Sequence, residues 1–325
     1  MADPETRRNK SELLRTKLMR MQKVIVWLIL TLIWGSTWIF IKIGLNDLPP
    51  ITFASARFIL SALIVFAIIR IQGIALPRKG REWGLLALTG VLQFGLNYGS
   101  VFWSEQYISS GLAAVLQAMI TVFGLVLAWI FLPNERITAR KIIAIIIGIA
   151  GVAIIFADQL RVENWMAFLG CVGIVVGSYC AAQASILVKA KAAGMHPASL
   201  LFGQMICALP FIISYSLVVE GNPSAFHWSA TAIVCVLYLS VVGTVAAFWL
   251  YYWLLKRVES TKAMMISLVT PLLAVLIGAV TLGEMLPPQT FIGGLMIIGS
   301  IGLIVFRKRR KTEPLAIEEQ GPAVT

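Results

Sequence analysis

Nine polar or aromatic side chains stand in stretches of this sequence that are otherwise apolar, and they suit binding more than bond-making. Trp34 and Trp38 are four residues apart, which puts both rings on one helix face, with Ser36 and Thr37 between them. Gln93, Asn97 and Tyr98 share one apolar run, Gln117 lies in the next, Tyr179 and Gln183 occupy a later one, and Thr270 directly precedes Pro271. An amide in hydrocarbon needs partners, so it faces other helices or water. Interhelical bonding explains each of these groups singly, and space-filling explains the two tryptophans. Gln93, Asn97, Tyr98 and Gln117 fall at similar depth, however, and that favours a shared cavity wall, neutral, amide-bearing and aromatic.

A second set suits gating or hinging. Lys42 lies about one turn inside the end of its run, close enough for its stem to snorkel to water. Arg57 lies deeper, roughly 10 Å from the start of its helix at about 1.5 Å per residue. It is expected to pair with Asp47 or Glu105, in a gate or a structural ion pair, ahead of meeting an anionic or zwitterionic substrate directly. Pro271 removes a backbone hydrogen bond and frees a carbonyl, which gives a kink, a hinge or a binding point. Glu135 and Glu284 each close an apolar run. Trp249, Tyr251, Tyr252 and Trp253 read as an interfacial aromatic belt.

Bond-making chemistry finds no support. There is no HExxH, no GxSxG and no phosphate-binding glycine loop with its lysine. All 15 acidic residues lie in tails, loops or span ends, so no carboxylate is placed for proton coupling at mid-depth. The four cysteines sit in apolar runs without CxxC spacing, and His196 and His227 are in different loops. The expectation is no enzyme, no metal and no cofactor. An intramembrane enzyme is the weaker alternative, since it needs a catalytic cluster near the lipid interface.

The elements that carry these residues follow from composition. Of 325 residues, 59% are hydrophobic and 13% charged, against about 45–50% and about 25% in soluble domains. Such a chain cannot cover itself with polar surface, so its solvent is largely lipid. Ten apolar spans are expected, each near the ~20 residues that cross a bilayer as a helix. They are too long for barrel strands and lack period-2 alternation. The first follows more than twenty polar and basic residues without a cleavage site, so it should be retained as a helix.

Basic residues orient the spans. With the N-terminus inside, 24 of the 27 fall on the inner side and Arg161 alone in an outer loop. The net charge of +12 is therefore a topology signal and a contact with anionic lipid, not a nucleic-acid footprint. An even number of spans leaves both termini in the cytoplasm. The chain also repeats itself. A shift of 149 takes Ala114 to Ala263, Thr121 to Thr270 and Glu135 to Glu284, and a shift of 147 takes Lys42 to Lys189 and Pro50 to Pro197. A five-span unit is odd, so the halves, 24–157 and 166–306, are inverted relative to each other. They are flanked by cytoplasmic tails, 1–23 and 307–325. The fold class is an all-α polytopic membrane protein of ten transmembrane helices in two inverted five-helix repeats, an architecture typical of secondary transporters.

Trp34-Gly35-Ser36, Lys42, Pro49-Pro50, Arg57, Tyr107-Ile108-Ser109-Ser110-Gly111 and Glu135 in the first half, with Pro271 and Gly283-Glu284 in the second, resemble the EamA family of the drug/metabolite transporter superfamily. The resemblance implies a plasma-membrane permease, often an exporter, for amino acids or other small metabolites, with substrate held centrally between the repeats. Efflux of lipophilic drugs is the alternative within that class. The partners are then a small solute and membrane lipid, and no oligomer is required. The family proline of the fourth helix is replaced by Val122, so that helix is expected to be less kinked than the one carrying Pro271.

Overall fold

The computed structural model describes residues 4–108, 110–160, 162–282 and 288–305. Every regular element among them is helical. In hydrocarbon a helix satisfies its backbone within one segment, as an open strand cannot. The chain begins with α1 (Pro4–Gly44) and α2 (Pro50–Gln72). Pro50 at its first position suits α2, because that N–H has no intrahelical partner anyway. Gly73 ends α2 in the left-handed conformation, φ 63°, that glycine adopts without penalty. Next come α3 (Gly80–Gly90) and α4 (Tyr98–Ser104), joined by a π-helical turn, then α5 (Ser110–Gln117), α6 (Met119–Phe131) and α7 (Ala139–Ile155). The second half supplies α8 (Trp165–Lys191), α9 (Pro197–Val219), α10 (Ala230–Ser240), α11 (Ala247–Leu255), α12 (Ser260–Met264), α13 (Ile266–Leu282) and α14 (Pro288–Val305). Among the described residues eight helices are long and apolar enough to cross a membrane. Leu63, Ile146 and Leu295 present more than half their surface outward, as lipid-facing residues would.

Irregularities recur at matched places in the two halves. The π-turn Val91–Asn97 links α3 to α4, and a second, Val241–Ala246, links α10 to α11. Such turns widen the helix and cluster at functional positions. Likewise α5 and α6 are separated at Ala118, and α12 and α13 at Met265. The same hydrogen bonds bracket both breaks: Thr121 N–H to Ala118 O and Leu268 N–H to Met265 O. The first-half helix is thus interrupted as its counterpart is, although Val122 stands where the counterpart has Pro271. The reason is tertiary contact. The breaks face each other, with the Thr121 hydroxyl 3.3 Å from Met264 O and 3.0 Å from Ser267 Oγ, and a Cβ added to Gly124 would meet Met264 Sδ.

Helices approach most closely where glycine permits. A Cβ on Gly90 would lie 2.2 Å from Gln204 O, so α3 and α9 touch backbone to backbone, whereas nothing lies within 4 Å of Gly84. Beside that contact Gln204 donates to Thr89 Oγ1 at 2.8 Å and accepts from Tyr252. Overpacking a close contact costs about 1–3 kcal/mol. Gly90→Ala should therefore lower the melting temperature of the detergent-purified protein by several degrees, and Gly84→Ala should not.

Candidate functional site: a cavity lined by both halves

A cavity of about 140 Å³ lies among α1, α2, the first π-turn, α4, α5, α6, α8, α11, α12 and α13. Seven of the nine expected binding residues line it: Trp34, Trp38, Gln93, Asn97, Tyr98, Gln117 and Thr270. The π-turn carries Gln93 and Asn97, and the turn of α1 from Trp34 to Trp38 supplies Thr37 as well. Tyr179 and Gln183 do not line it. On α8 the cavity face is Ala181 and Ser185. A residue two places away points about 200° round a helix of 3.6 residues per turn. Tyr179 is accordingly 44% exposed and meets Phe123 edge to face, with ring centroids 5.6 Å apart.

The wall is not neutral, which corrects the sequence reading. Arg57 belongs to it and is only 1% exposed. Its Nε donates to Thr244 Oγ1 at 2.8 Å and Nη2 to Gly243 O at 3.2 Å, both in the second π-turn. The guanidinium also stands 5.1 Å from the Tyr98 ring centroid and 5.3 Å from that of Phe58. Among the described residues no carboxylate pairs with it. Asp47 accepts from Ser229 instead, and Glu105 Oε1 is buried without a partner. Tyr251 and Tyr252 are buried, not an interfacial belt. Tyr251 lines the cavity and donates to Ser185 Oγ at 3.0 Å.

The expected gate residues separate into different settings. Pro271 lines the cavity; the carbonyl its ring leaves free, Ser267 O, accepts from Thr270 Oγ1 at 3.4 Å. Lys42 is exposed and forms no ion pair among the described residues. Glu284 lies outside the described residues. Glu135 is 6% exposed, pairs with Lys189 Nζ at 2.6 Å, and accepts from Ser260 N–H at 2.9 Å and from its hydroxyl. A first-half carboxylate thus caps second-half helix α12, one turn beyond the end of the cavity at Ser185 and Ala263. At the opposite end of the bundle the relation is reversed. Glu220, ending α9, accepts from the N–H groups of Ile51 and Thr52 at 2.7 and 2.6 Å and caps α2. Sequence reading missed Glu220; its only signal was an acid facing, across the halves, the helix opened by Pro49-Pro50.

Directly before Ser260, Glu259 takes Lys141 at 3.2 Å and Lys262 at 3.4 Å. Burial raises its pKa, but the two lysines outweigh burial and hold it below the ordinary value. Glu105, just past α4, has no such help, and burial pushes its pKa up to about 7. The folded state then keeps a proton that the unfolded chain releases near 4.5. That contribution to stability is complete below the unfolded value and is lost as pH rises through 7. Glu105→Gln should raise the melting temperature at pH 8 and change it little at pH 5.

Comparison with known proteins agrees with this geometry. The EamA-like transporter family matches the chain twice, over residues 22–157 and 168–306. The chain is 26% identical to the "Uncharacterized transporter YoaV" of Bacillus subtilis over 90% of its length and 99% of the relative's. It is 31% identical to an "Uncharacterized transporter" of Archaeoglobus fulgidus over 89% of its length and all of the relative's. It is 26% identical to a "Probable amino-acid metabolite efflux pump" of Escherichia coli, covering 87% and 94%. One solved crystal structure superposes with a TM-score of 0.76 at 15% identity, over 90% of this chain and 99% of the other, which shows a shared fold. A polytopic helical chain with a central cavity, matched by one family in each half, belongs to the EamA-like transporter family.

Proposed function

We propose that this membrane transporter is a secondary carrier that moves a small metabolite, such as an amino acid, out of the cell by alternating access. Ten helices cross the plasma membrane in two inverted five-helix repeats, 24–157 and 166–306, with both tails in the cytoplasm. The observation that carries this reading is the cavity, because both halves line it and neither closes it alone. Matched π-turns and matched breaks put equivalent flexible points in each half. Inverted repeats rocking about a central site open it to alternate sides. Export of an amino acid takes support from the efflux pump named above.

In the state described, the end of the cavity near Ser185 is tied by Glu135, Lys189 and Ser260. Breaking one partner of a buried pair costs about 3–5 kcal/mol. Glu135→Gln should shift the population toward the state in which that end is open.

Counterflow of amino acids in proteoliposomes tests the proposal. Saturable exchange by the wild type is expected to fall at least tenfold in Trp34→Ala and Gln117→Ala. No saturable movement of any amino acid, with efflux of a lipophilic dye instead, would replace metabolite export by drug efflux.

A further inference from the structure

Two neighbours at the end of α4, Ser104 and Glu105, each keep a buried oxygen without a partner, Ser104 Oγ and Glu105 Oε1. They lie where α4 of the first half meets α8 of the second. That seam closes on glycine: a Cβ on Gly173 would lie 2.8 Å from Ser104 Oγ, one on Gly170 3.5 Å from Ser104 O, and one on Gly177 3.2 Å from Ser100 Cβ. Gly173 precedes Ser185 on the same helix by roughly 18 Å, at about 1.5 Å per residue, so the seam is at the end of the bundle away from the tie at Glu135. Glu105 continues the register of α4. Its N–H bonds Val101 O at 3.0 Å, which stacks it one turn beyond Val101. Val101 lines the cavity and packs with Ile108, Ala113, Ala167 and Ile174. The carboxyl therefore stands on an apolar cluster drawn from both halves, at the cavity's far end.

We propose that Glu105 is a proton-operated latch on this seam: α4 and α8 close over the neutral carboxyl and part when it ionises. An ionised carboxylate needs water or a cation, and the closed seam supplies neither. Each element around it confirms this. From α2 and its ends come Arg57, committed to Thr244 and Gly243, Asp47, bonded to Ser229, and Glu220, which caps α2. α5 carries no titratable side chain. α8 brings the Cys171 thiol, packed on the same cluster, and Glu163 is exposed just before it. On the α4 side, Tyr98 faces Arg57 and Tyr107 meets the Trp103 ring at 5.1 Å between centroids. Lys42 of α1 is exposed, and among the described residues no cation pairs with Glu105. Burial alone thus raises its pKa to about 7, and hydration in an open seam returns it toward 4.5. Between those values the closed seam holds a proton that the open one releases, so acid favours closure, and closure is lost as pH rises through 7. The residue as a whole is half-buried, which leaves the proton a way in and out. The latch rests on the carrier reading for its role, the gating of the end opposite Glu135.

The test is the distance across the seam, read from spin labels on exposed Gln106 and Val162 in the full-length chain with its four native cysteines replaced, in proteoliposomes. With Glu105 in place, the ratio of long-distance to short-distance populations should rise about tenfold or more from pH 5 to pH 8 and level off above the carboxyl's closed-state value. Glu105→Gln, which stays neutral, should hold the short distance at both pH values. Glu105→Asp, which can still ionise, should restore the response to pH, a rescue that a merely structural role for the side chain does not predict. The latch is overturned if the populations do not change with pH while Glu105 is present, or if Glu105→Gln responds to pH as the parent does. Amino-acid counterflow in the same proteoliposomes separates this from the carrier reading. Counterflow with a distance indifferent to pH keeps the carrier and rejects the latch. A pH-dependent distance without counterflow of any amino acid keeps the latch and rejects amino-acid carriage.

Discussion

In lipid every backbone N–H at a helix start must find an acceptor, and this chain meets that demand across the boundary between its halves. Glu135 from the first half caps α12 in the second, and Glu220 from the second half caps α2 in the first. The two caps sit at opposite ends of the bundle. A carboxylate at a helix N-terminus is favoured by hydrogen bonding and by the helix dipole together. Each cap therefore ties the halves together at one end of the bundle. Lys189 strengthens the tie at one end only, through Glu135 and the Val258 carbonyl.

Away from the cavity, polar side chains are mostly satisfied locally. Thr31, Ser36 and Thr89 hydrogen-bond carbonyls three or four residues back on their own helices, and Gln204 bridges Thr89 and Tyr252. Three residues of the cavity wall, Trp34, Arg57 and Asn97, keep a buried polar atom without a partner, and so do Ser55, Ser104, Glu105, Gln183 and Thr261 elsewhere. Polar groups exposed to no partner in a low-dielectric setting are costly.

Much of this was legible in the sequence, because a membrane leaves few ways to place an amide or a tryptophan. Trp34, Trp38, Gln93, Asn97, Tyr98, Gln117 and Thr270 reach one cavity. Tyr179 and Gln183 fail on helix phase, since apolar runs with small residues on all sides, such as α8, conceal which face is inward. Arg57 was readable as deep but not as unpaired. Asp47 and Glu105 are near it in depth, and only three-dimensional packing shows that Thr244 and Gly243, some 187 residues away, take their place. The break at Ala118 was hidden for a similar reason: a helix interrupted by a neighbour's approach leaves no proline to read.

Reciprocal rocking of the halves is most directly measured as two distances in one sample. Spin labels on exposed Arg136 and Lys191 report the end tied by Glu135, and labels on exposed Gln106 and Ser224 report the opposite end. In the wild type the first pair should show a short principal distance. With Glu135→Gln that distance should lengthen while the second shortens. If the first lengthens with the second unmoved, or neither changes, the halves do not rock as reciprocal units.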